Sequence, residues 1–160
     1  MKHGLNTDKA GIKITRFPYE EPYHLNLFIQ ASNGNINGEL GYYCNANDLI
    51  NLGNQLLDFP SREGKKICYE LGSEKPEDRF AFFFRLEVIS LDLAGHSAIR
   101  IRINNNRPPP ATEACEFCIP TDVADVNRLG SLLVAFGKLE HRVLVWSVKD
   151  GKLLKDIADV

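Results

Sequence analysis

Four cysteines and four histidines are the residues of this chain best suited to metal or nucleophilic chemistry, so their spacing decides what it could do. Cys115-Glu116-Phe117-Cys118 has the C-x-x-C spacing of zinc and thiol-redox motifs, which need both sulfurs to converge from a turn or helix start. Here the pair lies in a strand-like run, 115–119, where side chains three positions apart point to opposite faces. Cys44 and Cys68 form no second close pair, and histidines at 3, 24, 96 and 141 are scattered. The cysteines therefore read as reduced, small buried hydrophobes. No metal, cofactor or catalytic residue is expected.

Nucleophilic catalysis would need a Ser or Cys beside a base, and the chain has no G-x-S-x-G elbow. Gly34, Gly38 and Gly41 lie in and around a hairpin, without the Lys-Ser/Thr or strand–helix context of a phosphate cradle. His96 falls at a hairpin tip and His24 at a strand start. Glu74 to Asp78 reads as a solvated charged loop. An enzyme or small-molecule site would have to be assembled from unlinked positions such as His24, Tyr42, Glu87 and Arg102. The strongest polar feature is a basic stripe of Arg85, Arg100 and Arg102 on neighbouring strands, sharing a face with Glu87. Cross-strand ion pairing accounts for it. The functional alternative is a docking surface for an acidic partner, formed by Arg85, Arg100, Arg102 and Arg107.

The elements that must position these groups follow from hydrophobic period and turn chemistry. Residues 1–10 are expected to be frayed. Strands are expected over 12–19, ended by Pro18, and over 25–30, where Leu25, Leu27 and Ile29 alternate with Asn26, Phe28 and Gln30. A Ser32-Asn33-Gly34-Asn35 turn leads into a returning strand through Ile36, Gly38, Leu40 and Tyr42. A helix over 45–59 carries Leu49, Leu52, Leu56 and Phe59 on one stripe, with Asn45 as cap and Pro60 as stop. Further strands are expected over 67–71, over a long run 80–93 with a bulge near Val88, and over 97–103. A proline-stiffened loop, 104–110, precedes the Cys115 strand. A second helix over 121–139 is capped by Asp122 or Thr121, carries Val126, Leu129, Leu133 and Phe136, and ends at Gly137. Residues 142–148 and 152–157 complete a hairpin around Asp150-Gly151, which has the form of a two-residue turn.

The two helices match without gaps at an offset of 77 positions: Asn45 with Asp122, Asp48 with Asp125, Leu52 with Leu129, Gly53 with Gly130, Leu56 with Leu133 and Phe59 with Phe136. A mid-helix glycine costs about 1 kcal/mol relative to alanine, so two at equivalent positions point to close backbone approach. Duplication and convergence on a common amphipathic pattern both account for the match. The expected fold is α+β: mainly antiparallel sheet with two amphipathic helices packed on one face, built from a duplicated strand–strand–helix unit. One domain over 1–160 is expected, with 141–160 as a hairpin extension.

At 160 residues, with 44% hydrophobic and 25% charged residues and a net charge of −2, the chain has the composition of a globular domain. That charge gives no bulk attraction to nucleic acid or acidic membranes. No apolar run approaches the roughly 20 residues of a membrane span, and the first residues lack a signal-peptide core. Cytoplasmic residence is the expectation.

The order of elements resembles the WapI-type immunity-protein family of bacteria. The resemblance is carried by Asn37-Gly38-Glu39-Leu40, by Asp48-Leu49 opening a helix, by Phe82-Phe83-Phe84-Arg85-Leu86, and by the strand leading into Asp125-Val126, Leu129, Leu133 and Phe136. It spans roughly 25–136 and implies a non-enzymatic protein that binds and blocks a cognate toxin. The expected partner is therefore a protein; an oligomer using the 104–110 loop or the last hairpin as an arm is a further option.

Overall fold

The computed structural model describes residues 9–61 and 66–159. Most of the N-terminal segment expected to fray lies outside the described residues. Strands β1 (Gly11–Glu20), β2 (His24–Ser32) and β3 (Asn37–Cys44) run antiparallel into helix α1 (Ala46–Leu57). Then follow β4 (Lys66–Gly72), β5 (Phe83–Ser90), β6 (His96–Asn104) and β7 (Ala114–Asp122), helix α2 (Val123–Phe136), and the hairpin β8 (Val143–Ser147) and β9 (Asp150–Leu154). The α+β class holds, with the strands divided between two antiparallel sheets, β3-β2-β1-β8-β9 and β4-β5-β6-β7.

The duplication is larger than the strand–strand–helix unit. Gly11 pairs with Ser32 in the first half and Phe83 with Asn104 in the second, a shift of 72 at both ends. Leu25 pairs with Cys44 and Ser97 with Thr121, a shift of 72 on one strand and 77 on the other. Each half is thus three strands and a helix. The strand after each helix crosses to the opposite half: β4 pairs with β5, and β8 pairs with β1. The terminal hairpin is therefore built into the first sheet, and Trp146 on β8 is fully buried.

Polar details repeat as well. The Asn45 Oδ1 accepts from the Asp48 N–H at 3.0 Å and the Asp48 carboxylate accepts from the Asn45 N–H at 3.1 Å. In α2 the Asp125 carboxylate likewise accepts from the Asp122 N–H at 3.3 Å. These caps occupy backbone donors that the first helical turn leaves unpaired. In the turns, Asn33 Oδ1 accepts from the N–H of Asn35 and Ile36, and Asn105 Oδ1 from those of Arg107 and Glu113.

One core joins both sheets and both helices, with Leu27, Leu49, Leu56, Phe84, Ile99, Val126 and Phe136 among its fully enclosed side chains. Each such side chain contributes about 1.5–3 kcal/mol by leaving water. The helices cross at the paired glycines: a methyl group on Gly53 would meet the Gly130 carbonyl oxygen at 2.7 Å, and one on Gly130 would meet that of Gly53 at 2.6 Å.

Three local expectations are corrected. The 80–93 run is strand only over β5, and its register with β4 and β6 is continuous, without a bulge at Val88. The change of apolar phase marks the strand's end, since Leu91 and Leu93 are 61% and 95% exposed in the following turn. The register shift falls instead in β1, between Phe17 and Glu20, around Pro18, where proline's missing N–H is tolerated. The last hairpin turns at Val148-Lys149, because Ser147 pairs with Asp150. Lys149 takes φ 72° and donates its N–H to Asp125 Oδ1 at 2.8 Å. Gly151 serves packing instead: a methyl group there would lie 2.6 Å from Leu132 of α2.

Candidate functional site

Three places gather polar chemistry: the outer face of the second sheet, the start of α2, and a groove where the two halves meet.

On the outer face, Arg85 stands opposite Arg102 and Glu87 opposite Arg100, so the register brings three of the four candidate arginines together. Glu87 is 2% exposed and lies beneath them. Both its oxygens accept from Arg100 Nη2, at 3.0 and 2.9 Å, and it pairs with Lys66 Nζ and Arg85 Nε at 2.8 Å each. The Lys66 ammonium, followed by Arg100, holds its carboxyl below the usual glutamate range against the effect of burial. Arg85 also reaches Glu116 at 2.9 Å and Glu70 at 3.7 Å. Arg102 grips Glu74 with Nε and Nη2, at 3.0 and 2.7 Å, and Asn104 donates to the same carboxylate at 2.8 Å. Lys66, Arg85, Arg100 and Arg102 are thus matched by Glu70, Glu74, Glu87 and Glu116. This face is a neutralised lattice that stitches four strands together. Arg107 stands apart, exposed on the proline loop with no carboxylate partner among the described residues.

At the start of α2, Asp125 is 3% exposed. Its carboxylate accepts from the Thr121 hydroxyl at 3.0 Å, the Arg128 guanidinium at 2.6 Å and the Lys149 N–H at 2.8 Å, while its carbonyl accepts from Trp146 Nε1 at 2.9 Å. Burial raises this carboxyl's pKa; the Arg128 guanidinium and the backbone donors more than reverse it. The arrangement locks β7, α2 and the last hairpin together and is closed to a ligand.

His24, Tyr42, Glu87 and Arg102 do not assemble into one site. His24 is exposed at the β2 start, Tyr42 is enclosed in the core stacked on Phe84 at 5.2 Å, and the other two lie on the outer face of the second sheet. Tyr42 is held protonated, first by burial. Burial, helped by Asp48, pushes the nearby Cys44 thiol up to about 12, and a protonated thiol is a poor nucleophile. The expectation of buried cysteines is corrected: only Cys44 is enclosed, Cys115 is half-buried, and Cys68 and Cys118 lie on outward strand positions and are exposed, all four as free thiols.

The groove encloses about 570 Å³ between the starts of β3 and β7, a volume within the range of ligand sites. Ala31, Asn37 and Gly38 line one side; their counterparts Ile103, Ala114 and Cys115 line the other. Gln30, Glu39, Thr112 and Glu113 complete it. Thr112 and Glu113 come from the β6–β7 loop, nine residues (105–113) where the equivalent β2–β3 turn has four (33–36). Glu39 meets only the Gln30 amide, at 3.5 Å, and neither Glu39 nor Glu113 meets a cation among the described residues. The sequence signal for this site was the change of repeat offset, from 72 across the first strands to 77 across the helices.

No family model, curated protein or solved structure matches this chain. Among the described residues, no helix is long and apolar enough to cross a membrane, and no three His, Cys, Asp or Glu side chains come together as a metal site.

Proposed function

We propose that the protein is a protein-binding module, an immunity-type blocker of a cognate toxin working in the cytoplasm without catalysis of its own. The observation that carries this reading is the groove: an open, polar-rimmed cleft built where the duplicated halves differ, beside the proline loop. The order of strands and helices that resembles WapI-type immunity proteins supports the same class. The arginines of the second sheet spend their charge on internal carboxylates, which moves the expected contact surface from Arg85, Arg100 and Arg102 to the groove. Arg107, exposed on the adjoining loop, remains available to a partner.

The test is purification from the native source after mild cross-linking, using the wild type and an Ala114→Trp variant that fills the groove from an exposed strand position. One stoichiometric protein partner, identified by mass spectrometry and lost in Ala114→Trp, is the expected result. A chain that sediments alone at every concentration and cross-links to nothing would refute it. A second reading, a small-molecule site, draws on the groove's volume; a bound metabolite released on denaturation of the native protein would favour it.

A further inference from the structure

The two halves also differ in how they treat their sheet edges, and the difference opens one edge beside the groove. β3 and β7 are equivalent outermost strands, one at the edge of each sheet. In β3, Asn33 N–H donates to Ile36 O at 3.2 Å, so Asn33–Ile36 is a hydrogen-bonded pair of the hairpin. Antiparallel pairs alternate, which directs the backbone groups of Asn37, Glu39, Gly41 and Tyr43 away from β2. The same count on β7 directs Ala114, Glu116, Cys118 and Pro120 outward.

The β7 edge is protected. Asn33 Nδ2 donates to the Cys118 carbonyl at 3.3 Å, and Pro120 has no N–H to offer. The β3 edge lacks both devices. Asn105, the counterpart of Asn33, turns its amide into its own longer loop and donates to Ala111 O at 2.9 Å. Gly41 stands where β7 has Cys118, with nothing within 4 Å of a methyl group placed on it, and Tyr43 stands where β7 has Pro120. Among the described residues the outward backbone of 37–43 has no hydrogen-bond partner, and the same strand carries Asn37, Gly38 and Glu39 into the groove.

Building on the binding-module reading, we infer that the β3 edge accepts an extended segment of the partner protein as an added strand, and that this segment carries a Lys or Arg side chain into the groove. Main-chain pairing along Asn37, Glu39, Gly41 and Tyr43 holds the segment. Glu39 and Glu113 supply the counter-charge, since among the described residues the groove is lined by two carboxylates and no cation. Tyr43, 58% exposed on the same strand, offers an aromatic contact to the incoming chain.

The test uses the full chain and fluorescent peptides of alternating threonine and valine with a central lysine, norleucine or glutamate, read by anisotropy at low salt. The lysine peptide is expected to bind about two- to fivefold more tightly than its norleucine twin, the scale of one exposed ion pair. Glu39→Gln with Glu113→Gln removes that preference. Gly41→Pro, which removes an outward N–H and none of those paired with β2, lowers binding of every peptide about tenfold or more. An N-methylated lysine peptide, unable to pair, loses binding likewise and keeps the test independent of how the proline variant folds. Equal binding of the three peptides, or indifference to both proline and N-methylation, overturns the inference. So does full competition by a free alkyl diamine, which points to a small-amine site, or self-association abolished by Gly41→Pro, which makes the occupant a second copy. In each of these cases a cross-linked partner still lost in Ala114→Trp leaves the binding-module reading standing.

Discussion

Replacing Gly130 by alanine should destabilise the protein, against the usual gain from removing a glycine inside a helix. The added methyl group would lie 2.6 Å from the Gly53 carbonyl oxygen, 2.8 Å from the Leu57 nitrogen and 2.9 Å from the Leu56 Cβ. Two of these are backbone atoms of α1, so no rotamer change relieves them. Restoring ordinary contact requires the helices to separate by about 0.8 Å, in a core packed to crystal-like density. Because the clash is with backbone, the upper part of the usual overpacking range applies, about 2–3 kcal/mol, while the intrinsic helix gain of alanine over glycine is about 1 kcal/mol. The expected net loss is about 1–2 kcal/mol, roughly 2–8 °C in Tm. The lone tryptophan, Trp146, is fully buried and reports unfolding in urea through its fluorescence. Gly53→Ala should behave alike, because its methyl group meets the Gly130 oxygen at 2.7 Å. The double variant should cost less than the sum, since the first methyl group already parts the helices. A Gly130→Ala protein more stable than wild type, with unchanged m, would refute the close crossing.

Asp125→Asn should cost about 2–4 kcal/mol, because it leaves Arg128 and three other donors around an uncharged side chain. The native carboxyl sits below its ordinary value, so its contribution is complete above the unfolded-state value near 4 and fades as pH falls through the lower folded value; acid titration of wild type and variant should therefore converge. Glu87→Gln should lower stability at neutral pH by about 1–3 kcal/mol, since it uncovers the mutual repulsion of Lys66, Arg85 and Arg100; a midpoint unchanged in low salt would contradict the central role given to Glu87. In thiol labelling followed by mass spectrometry, exposed Cys68 and Cys118 should react first and half-buried Cys115 more slowly. Cys44, buried and held protonated, should react only on unfolding, and modification of native Cys44 at the rate of Cys118 would show that the core opens there.

The elements with strong period were legible in the residues themselves. Both helices, their caps and the inward faces of β2 and β6 follow from amphipathic spacing, and Gly53 with Gly130 announced a close approach whose partner proved to be the other helix. The exchange of β4 and β8 between halves was not legible, because an alternating strand reads alike in either sheet. Nor was the turn at Lys149: a local rule favoured Asp150-Gly151, but the turn forms two residues earlier, where the Lys149 N–H donates to Asp125, distant in sequence. The basic stripe was legible as a cluster of cations, whereas Glu74 and Glu116, from other elements, neutralise it and turn it into structure.

A duplicated chain supplies its own control for what the fold alone requires. Features repeated at equivalent positions, such as the Asn–Asp and Asp–Asp caps, the Asn33 and Asn105 turns and the crossing glycines, hold either half in shape. Features that break the equivalence demand a cause beyond folding, because the other half folds without them. The ion lattice of the second sheet breaks it, yet its charges are consumed by carboxylates of the sheet and of the loop after β4. The longer β6–β7 loop breaks it differently. It draws the Asn105 amide away from β3, leaves a strand edge unguarded among the described residues that its counterpart protects, and walls a groove with a carboxylate that meets no cation among them. An unprotected edge carries a standing risk of aggregation. The β7 edge has its remedy in the Asn33 amide reaching over from the first half and in its own Pro120, so the exposure of β3 is the departure that a binding role explains and folding does not.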